Sequence, residues 1–306
     1  MKSNKNLMAQ IAYLDYKKNF TQQEIAKKLN ITRQTVSKLL SEAILENIVE
    51  ITINNPMDVQ SSLEQKLIKA FSLKSARVYT IASKDLFLQQ WATAEATKEY
   101  LLPLLKEGNK KIALSWGKTI VTLIEQMPQT KTKNNEVYPL FGGSDGKEFC
   151  YSSNEVARAF AEKVEGNVHF AWFPYKTNSK EDYELFKKTS YYQEMEDCWN
   201  NLDIAILGIG NLQGIARLES FLGKIRNDNQ EIGDIATHTY TIDGQITTKT
   251  NQTLCVPISS LKRTKDVIAL AYGDDKIDAI IGALKTGIIT TFITDEYTAR
   301  ALLKRI

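Results

Sequence analysis

Apolar residues recur at helical spacing in two short runs near the start of the chain, at 22–29 and at 33–40. Asn30 lies between the runs, and asparagine tolerates the left-handed backbone of a sharp turn better than most residues. Thr32 is a good N-cap for the second run. The inward face of the pair is formed by Ile25, Ala26, Leu29, Val36, Leu39 and Leu40. The spacing therefore predicts a helix-turn-helix.

The second predicted helix presents polar side chains outward, where they can hydrogen-bond base edges or phosphates of DNA. These candidate DNA-binding residues are Thr32, Arg33, Gln34, Thr35, Ser37 and Lys38. Two short amphipathic helices also occur in many proteins that never touch DNA, so the spacing alone leaves both interpretations open. An apolar run at 8–14 favours DNA binding, because a preceding helix would complete a three-helix unit.

Charge is distributed unevenly along the chain. Residues 1–55 hold 8 Lys/Arg and 5 Asp/Glu, whereas the other 251 residues hold 31 of each. The net charge of +3 therefore lies entirely on the candidate DNA-binding unit, where release of counterions from phosphates favours binding. Because this excess is small, we expect two or more copies to act together on repeated half-sites of a double-stranded operator.

Residues 48–53, IVEITI, alternate as in a short strand and predict the wing of a winged-helix-like domain at residues 1–55. Residues 54–56 then break regular structure. An amphipathic helix is predicted at 59–71 within a linker that spans 56–74. This helix is either a simple linker or a dimer contact that relays a signal, and both alternatives stay open.

From residue 75 to residue 306 the pattern alternates between short apolar strands and longer amphipathic helices. Such alternation predicts an α/β domain with a mainly parallel sheet. The predicted strands span residues 76–81, 111–116, 137–141, 168–173, 202–208, 267–271 and 288–293. The predicted helices span residues 86–105, 118–127, 153–164, 276–284 and 296–303.

At 306 residues and 43% apolar composition, the chain is long enough for one small and one large domain. It has no apolar run of about 18 residues, which a membrane span needs, and its N-terminus lacks the apolar stretch of a signal peptide.

Three scattered cysteines and two histidines form no metal-binding pattern, so we expect no metal and no cofactor. Such thiols are typical of a reducing cytoplasm, where we place the protein.

Four predicted strands end in glycine-containing turns, at 115–119, 142–145, 208–211 and 273–276. In an open parallel sheet these turns lie at one edge, where ligands bind. In the first turn, Gly117 allows close approach at the start of a helix whose N–H groups and dipole favour an anion. Chain geometry alone can explain each turn, but four turns at one edge predict a pocket for a polar, phosphorylated small molecule.

The order and spacing of these segments resemble the SorC family of bacterial transcription regulators over nearly the whole chain. The matching segments are SWGKT at 115–119, LFGG at 140–143, GIG at 208–210, GDI at 233–235 and AYGDDKIDAIIGALKTGIITTFITDEYTARALL from 271. The resemblance implies a helix-turn-helix followed by a Rossmann-like effector domain similar to sugar-phosphate isomerases and deaminases. It also implies a dimer or tetramer that binds a sugar or sugar phosphate and thereby regulates, most commonly represses, carbohydrate-metabolism genes.

Carried over by position, the resemblance also implies an effector site. The residues that hold a phosphate are Gly117, Lys118 and Thr119. Those along the sugar are Gly142, Gly143 and Asn154, and Lys276 lies near the other charged end of the ligand. Asp234 and Asp295 match recurrent family positions, where they either touch the ligand or cap a helix or strand.

Two positions depart from the family pattern. Phe141 precedes the glycine pair where relatives often carry a basic residue, and an apolar ring can contact neither a ligand charge nor a carbonyl. Tyr272 precedes Gly273 where the family commonly has a second glycine, which predicts a tighter turn or a smaller pocket. A singly phosphorylated sugar or polyol therefore fits better than a bisphosphate.

An enzyme of the isomerase or aminosugar deaminase type is the alternative function, since the implied effector domain resembles those folds. Such chemistry needs a positioned acid/base pair near the sugar, and Asp203, Asp234 and Asp295 supply carboxylates. Neither His169 nor His238 falls at a glycine-rich strand end, and catalysis would leave the helix-turn-helix unexplained. We therefore expect a regulator without catalytic residues.

Overall fold

A computed structural model of the chain describes residues 2–51, 60–143, 152–212, 231–247 and 252–306. The chain divides into two units, Met1–Pro56 and Met57–Ile306. Each unit has buried apolar clusters of its own. Within the described ranges, no helix is both long and apolar enough to cross a membrane.

The described residues of the smaller unit form three helices and a π-helical turn. They are α1 Lys2–Ala12, the π-helical turn Tyr13–Lys17, α2 Gln22–Leu29 and α3 Arg33–Leu45. The predicted inward-facing side chains of α2 and α3 pack together with Met8, Ile11 and Ala12 of α1. Ile25 and Val36 have no exposed surface. The predicted three-helix unit is therefore confirmed.

Local hydrogen bonds determine where α2 and α3 begin. A capping box forms at Thr21, whose N–H donates to Glu24 Oε2 (2.8 Å) while the Glu24 N–H donates to Thr21 Oγ1 (3.3 Å). Asn30 has φ 53° and ψ 45°, the left-handed conformation expected for it. The Thr32 hydroxyl caps α3 by accepting the Thr35 N–H at 3.1 Å. Both the predicted turn and the predicted cap are confirmed.

The predicted wing strand at 48–53 is wrong over the part that the structure describes. Residues 48–51 form no strand, because the N–H groups of Ile48 and Val49 both donate to the Ala43 carbonyl near the end of α3 (2.8 and 3.0 Å). Their side chains pack against the helical core, which accounts for the apolar alternation. The remainder of that segment lies outside the described residues.

The strands of the larger unit form two sheets in the described part of the chain. They are β1 Ser75–Tyr79, β2 Lys111–Leu114, β3 Glu136–Pro139, β4 Asn167–Val168, β5 Ile204–Gly208, β6 Gly210–Asn211, β7 Glu231–Ile235, β8 His238–Thr241, β9 Asp266–Leu270 and β10 Thr291–Asp295. Seven strands pair in parallel in the order β1-β10-β9-β5-β2-β3-β4, and β6, β7 and β8 form a small antiparallel sheet. The predicted parallel α/β fold is confirmed, whereas the small sheet is absent from the prediction.

Helices cover both faces of the parallel sheet. They are α4 Gln60–Phe71, α5 Leu86–Glu107, α6 Lys118–Gln126, α7 Ser153–Lys163, α8 Lys180–Lys187, α9 Ser190–Trp199, α10 Ile258–Arg263, α11 Ile277–Lys285 and α12 Glu296–Arg305. Alternate residues of a strand face opposite sides, so Ile112 and Leu114 lie in one buried cluster and Ala113 lies in the other. Because both faces are buried, the central strands form continuous apolar runs in the sequence.

The predicted strand at 168–173 is wrong beyond its first residue. β4 ends at Val168, and both backbone polar groups of Ala171 are bound by the amide of Asn154. Asn154 Oδ1 accepts the Ala171 N–H at 2.9 Å, and Asn154 Nδ2 donates to the Ala171 carbonyl at 3.2 Å. Because the Asn154 side chain forms hydrogen bonds with these backbone groups, they do not pair with β3, and the chain leaves the sheet.

The helix predicted within the linker, α4, packs in the core of the larger unit. Leu67 has no exposed surface and Leu63 is buried beside it. Glu64 Oε1 accepts the Val78 N–H of β1 at 3.0 Å. The helix thereby covers the outer edge of the sheet at β1.

The strand order contains one point at which the direction of the chain reverses. From β2 the chain moves outward to β3 and β4, and from β5 it moves the other way to β9 and β10. β2 and β5 are neighbours, so a crevice opens beyond their carboxyl ends. In open α/β sheets ligands bind in such a crevice.

We expect Leu67→Ala to lower the free energy of unfolding by about 2–5 kcal/mol, since it removes a fully buried side chain and leaves a cavity. Chemical denaturation of the full chain measures this change. Lys66→Ala is the matched control on the exposed side of α4, and it should change stability by no more than about 0.5 kcal/mol. Equal effects of the two substitutions would show that α4 does not belong to the core.

Candidate functional site

The turn after β2 forms the first wall of the crevice. The chain leaves β2 through Ser115, Trp116 and Gly117 and enters α6 at Lys118. Gly117 has φ 122°, in the region that favours glycine, and a Cβ there would meet no atom within 4 Å. Gly117 is the N-cap of α6 and provides no side-chain cap, so the first N–H groups of the helix are left for a ligand or solvent. With the helix dipole and the exposed Lys118 side chain, they favour an anion.

Hydrogen bonds of Ser115 join this turn to β5. Ser115 Oγ accepts the Gly208 N–H at 3.2 Å, and the Ser115 N–H donates to the Ile206 carbonyl at 2.9 Å. A Cβ on Gly208 would meet no atom within 4 Å. The carboxyl ends of β2 and β5 therefore border one open crevice.

Asp234 of β7 pairs with Gly210 of β6, two residues after the end of β5. A Cβ on Gly210 would come within 1.9 Å of Asp234 Oδ1, so a larger residue there would displace the Asp234 carboxylate. Asp234 Oδ2 accepts the Thr237 N–H at 3.2 Å. Burial raises the pKa of Asp234, while the Thr237 N–H and the charge of Lys276 act against this rise. Asp234 and Lys276 thus interact electrostatically beside the crevice.

Lys276 approaches the same strand end from the turn after β9. Its Nζ donates to the Ile209 carbonyl at 3.2 Å and lies 6.0 Å from the centroid of the Tyr272 ring. Burial lowers the pKa of Lys276, while the charges of Asp275 and Asp234 act in the opposite direction. A half-buried ammonium with carboxylates nearby suits the polar end of a small ligand.

The turn after β9 also contacts the end of β6. Burial raises the pKa of Tyr272, which follows β9, while the Thr119 side chain in the first turn of α6 acts in the opposite direction. Asn211 Nδ2, at the end of β6, donates to the Asp275 carbonyl at 2.5 Å. The residue pattern does not predict this hydrogen bond, because no spacing rule places a residue after β9 against the end of β6.

Gly142 and Gly143 form a further wall after β3. The Gly142 N–H donates to the Leu254 carbonyl at 2.9 Å, and the Gly143 N–H donates to the Phe173 carbonyl at 2.8 Å. A Cβ on Gly142 would lie 2.4 Å from the Pro174 carbonyl oxygen, so backbone packing requires glycine there. Gly143 has looser surroundings, with its nearest atoms 3.8 Å from a Cβ.

Two predicted effector-site residues use their polar atoms within the fold. Asn154 binds both backbone groups of Ala171. Asp295 has no exposed surface and caps α12, where its Oδ1 accepts the N–H groups of Tyr297 (2.8 Å) and Thr298 (3.2 Å). For Asp295 the structure shows the capping alternative that the sequence leaves open.

An aromatic group lies behind the first wall. The Trp116 ring stacks on Phe141 with 4.4 Å between ring centroids, and it contacts Tyr175 edge-on at 5.0 Å. Phe141 is almost fully buried, at 1% exposure, in agreement with its apolar character. The sequence contains no signal for this group, since Tyr175 lies in irregular structure after a two-residue strand.

Of the carboxylates considered for catalysis, Asp234 alone lies at the crevice. Asp203 precedes β5 at the opposite end of the sheet, where its Oδ2 accepts the Lys111 N–H (3.0 Å) and its Oδ1 pairs with Lys265 Nζ (2.7 Å). Asp295 is a buried cap. The three carboxylates therefore form no common acid/base group.

The candidate DNA-binding side chains of α3 are all exposed. Thr32 and Thr35 bind each other through their hydroxyls at 2.8 Å and hold the start of the helix. Lys38 Nζ lies 3.7 Å from an acidic side chain one turn later. Arg33 and Gln34 project from the first turn, which is the part of a recognition helix that contacts bases.

A cavity of about 310 Å³ lies elsewhere, at the β1 edge of the sheet. It is lined by Glu64, Arg77, Val78, Tyr79, Ala96, Glu99, Tyr100, Pro103 and Leu104. None of the predicted effector residues lines it, so it does not mark the crevice. Across the described ranges, no group of three or more His, Cys, Asp or Glu is placed to hold a metal ion.

Two known family models match the chain. Residues 55–304 match the family described as "Putative sugar-binding domain", and residues 8–46 match "Sigma-70, region 4". The first match contains every element around the crevice, and the second contains α2 and α3.

Individual relatives match over nearly their full length. The sorbitol operon regulator of Klebsiella pneumoniae is 30% identical over 310 residues, which cover 97% of this chain and 98% of that protein. The deoxyribonucleoside regulator of Bacillus subtilis (strain 168) is 26% identical and covers 99% of this chain and 98% of its own. The crystal structure of the full-length sorbitol operon regulator SorC from K. pneumoniae has a TM-score of 0.77 at 29% identity, over 97% of this chain and 98% of that chain. The resemblance found in the sequence is confirmed: the chain belongs to the SorC family of transcriptional regulators with a sugar-binding domain.

Proposed function

We propose that this protein is a cytoplasmic repressor of carbohydrate-metabolism genes that changes its hold on operator DNA when it binds a singly phosphorylated sugar or polyol. The observation that carries the proposal is the crevice at the chain reversal, where the uncapped start of α6 and Lys276 border one opening. The names of relatives support it, since they are called regulators of a sorbitol operon, of deoxyribonucleosides and of erythritol catabolism.

The proposed phosphate contacts come from the start of α6. The N–H groups after Gly117 donate to phosphate oxygens, Lys118 neutralises charge and Thr119 adds a hydroxyl. Gly143 lets the sugar approach the backbone. The Asp234 carboxylate accepts hydrogen bonds from sugar hydroxyls at the end of the ligand opposite the phosphate.

In this proposal the other predicted site residues either contact the sugar or hold the fold around it. Lys276 donates to the sugar at the end opposite the phosphate. Gly142 and Asn154 hold the wall along the sugar through their backbone and amide contacts. Asp295 acts through the fold, because it is a buried cap.

The proposed DNA contacts come from α3. Arg33 and Gln34 read base edges in the major groove, and Ser37 and Lys38 contact phosphates or edges. Thr32 and Thr35 present their exposed hydroxyls to DNA while holding the start of the helix.

Regulation in this proposal needs two quaternary arrangements of a homodimer or homotetramer. A small positive excess on each DNA-binding unit makes binding by paired copies stronger than by one copy. The effector shifts the equilibrium by binding one arrangement more tightly than the other. No cofactor and no catalytic residue takes part.

A sugar-phosphate isomerase or aminosugar deaminase is the second candidate function. The observation that favours it is the charge interaction at the crevice between Asp234, whose pKa is raised, and Lys276, whose pKa is lowered. Incubation with candidate sugar phosphates and assay for isomerised or deaminated product distinguishes the two functions. Turnover that is lost in Asp234→Asn would establish the enzyme and overturn the regulator without catalysis.

We expect Arg33→Ala to weaken operator binding by about 1–3 kcal/mol and to relax sequence preference, because a base contact is lost. Fluorescence anisotropy with the natural upstream DNA and with scrambled DNA measures both effects. Effector binding by the same variant should stay at the wild-type level. Unchanged DNA affinity in both Arg33→Ala and Gln34→Ala would exclude the first turn of α3 as the reading surface.

We expect Lys118→Ala to abolish or strongly reduce stabilisation by phosphorylated sugars, because a charge beside the phosphate is lost. An effector at about 100 times its Kd should stabilise the wild-type protein by about 2.7 kcal/mol, which a thermal-shift screen detects. Lys131→Ala removes an exposed lysine outside the crevice and is the matched control. Equal shifts in all three proteins would place the effector elsewhere.

A further inference from the structure

The start of α12 holds the first residue of the turn after β9, the turn that carries Lys276. Gly273 opens this turn with φ 103°, a conformation that favours glycine. Its N–H donates to Thr298 Oγ1 at 2.9 Å in a buried hydrogen bond. Thr298 follows β10, which pairs with β9. A side chain from one strand connection therefore holds the backbone of the neighbouring connection.

The Thr298 hydroxyl uses both of its hydrogen-bonding functions inside the protein. Its oxygen accepts the Gly273 N–H, and its hydrogen is donated to Asp295 Oδ2 at 2.5 Å. Thr298 has no exposed surface. A hydroxyl has a single hydrogen to donate, so the direction of both hydrogen bonds is defined. Thr298 thus links the backbone of Gly273 to the carboxylate of Asp295 and has no surface that reaches the crevice.

Asp295 gives this link a rigid support. Its Oδ1 accepts the N–H groups of Tyr297 and Thr298, and its Oδ2 also accepts Gln89 Nε2 of α5 at 3.1 Å. Gln89, Asp295 and Thr298 are all buried. A buried carboxylate with several donors has little freedom to move, because each lost hydrogen bond would leave part of its charge without solvation.

An ion pair restrains the same turn from its exposed side. Lys84 Nζ lies 2.8 Å from Asp274 Oδ2 and 5.8 Å from the centroid of the Tyr297 ring. The side chains of the ion pair are 53% and 62% exposed, so solvent screens their attraction. The buried hydrogen bond between Gly273 and Thr298 is therefore the stronger of the two restraints.

The position of Gly273 determines where Lys276 lies, because the turn between them is short. Residues Asp274–Lys276 form one 3-10 turn, and the Lys276 N–H donates to the Gly273 carbonyl at 3.2 Å. From there Lys276 Nζ reaches the Ile209 carbonyl at 3.2 Å, beside the crevice. Binding groups need to be held to within about 0.5 Å of their working position, so a displaced Gly273 would misplace the ammonium.

We propose that Thr298 is a positioning residue for effector binding, which places Lys276 at the crevice through the N–H of Gly273 and does not itself touch the effector. The proposal rests on the proposed function, because it assumes that Lys276 donates to the sugar of a sugar or polyol phosphate. It goes beyond that function by assigning the support of Lys276 to a buried hydroxyl of α12.

The experiment removes or retains this hydroxyl in the full-length chain. Thr298→Val keeps the shape of the side chain without the hydroxyl, Thr298→Ala removes the hydroxyl without placing a methyl group against Asp295, and Thr298→Ser retains it. Thr264→Val is the matched control at the opposite end of β9, where the buried Thr264 hydroxyl donates to the Ser260 carbonyl at 2.9 Å.

Calorimetry gives the Kd of four probes for each protein. They are a hexitol monophosphate, a pentose monophosphate, a tetritol monophosphate and inorganic phosphate. The thermal midpoint of each protein without ligand shows which variants are folded. Inorganic phosphate is included because, under the proposed function, it contacts only the start of α6 and not Lys276.

We expect Thr298→Val and Thr298→Ala to weaken the binding of the sugar monophosphate that wild type binds most tightly by about tenfold, since Lys276 loses its position. Thr298→Ser and Thr264→Val should stay within about twofold of wild type. The Kd of inorganic phosphate should be the same for all of these proteins. Equal losses of sugar-phosphate affinity in Thr298→Val and Thr298→Ser, or in Thr298→Val and Thr264→Val, would overturn the assignment to this hydroxyl.

A double-mutant cycle with Lys276→Ala distinguishes positioning from a general loss of structure. If Thr298 acts through Lys276, Thr298→Val should change the Kd of the same sugar phosphate by less than about twofold once residue 276 is alanine. An equal fold-change in both backgrounds would show that Thr298 acts independently of Lys276, and the proposal would be wrong.

The outcomes separate this inference from the proposed function. If wild type binds sugar monophosphates and none of the Thr298 variants alters their Kd, only the inference is lost. If wild type and every variant fail to bind any of the phosphates, the proposed function is lost and the inference is lost with it.

Discussion

Parallel pairing between β2 and β5 is the constraint on which the ligand-binding part of this protein depends. The two strands pair in register from Ile112 with Ile204 to Leu114 with Ile206. Because apolar clusters bury both faces of the sheet, a ligand can reach it only at the ends of its strands. The chain departs in opposite directions from this pair, and in an open α/β sheet such a reversal opens a crevice beyond the carboxyl ends of the strands. The crevice is therefore a consequence of strand order.

The two ends of the sheet use polar groups in different ways. At the amino end, Asp266 is buried and accepts hydrogen bonds from Thr290 (2.9 Å), Thr291 (2.6 Å) and Tyr100 (2.7 Å). A buried carboxylate with several donors stabilises the fold, because its desolvation is offset by those bonds. At the carboxyl end, glycines leave room and the start of α6 has no side-chain cap. One end thus stabilises the sheet, and the other keeps groups available for a ligand.

Under the proposed function, hydrogen bonds near the carboxyl end of β5 connect ligand binding to a change in structure. Lys276 Nζ donates to the Ile209 carbonyl, and Asn211 Nδ2 donates to the Asp275 carbonyl. An effector that accepts hydrogen bonds from these donors replaces the hydrogen bonds that hold the turn after β9 in place. That turn leads directly into α11, most of whose residues are buried. Under the proposed function, an effector that replaces these contacts would change the relative free energies of two states, which is what regulation requires.

The amino-acid sequence was sufficient wherever structure depends on near neighbours. Local backbone preferences account for the turn at Asn30, the cap at Thr32 and the glycine at 117. Apolar periodicity was enough to predict the parallel α/β fold. The strand prediction was wrong at Ile48 and Val49, because their backbone N–H groups donate to a helix carbonyl. It was also wrong after Val168, because the Asn154 side chain binds the backbone N–H and carbonyl of Ala171. The stacking of Trp116 on Phe141, the hydrogen bond from Gln89 to Asp295 and that from Asn211 to the Asp275 carbonyl join residues far apart in the chain. Such contacts depend on strand order, and strand order arises from packing of the whole sheet, which no local pattern of residues encodes.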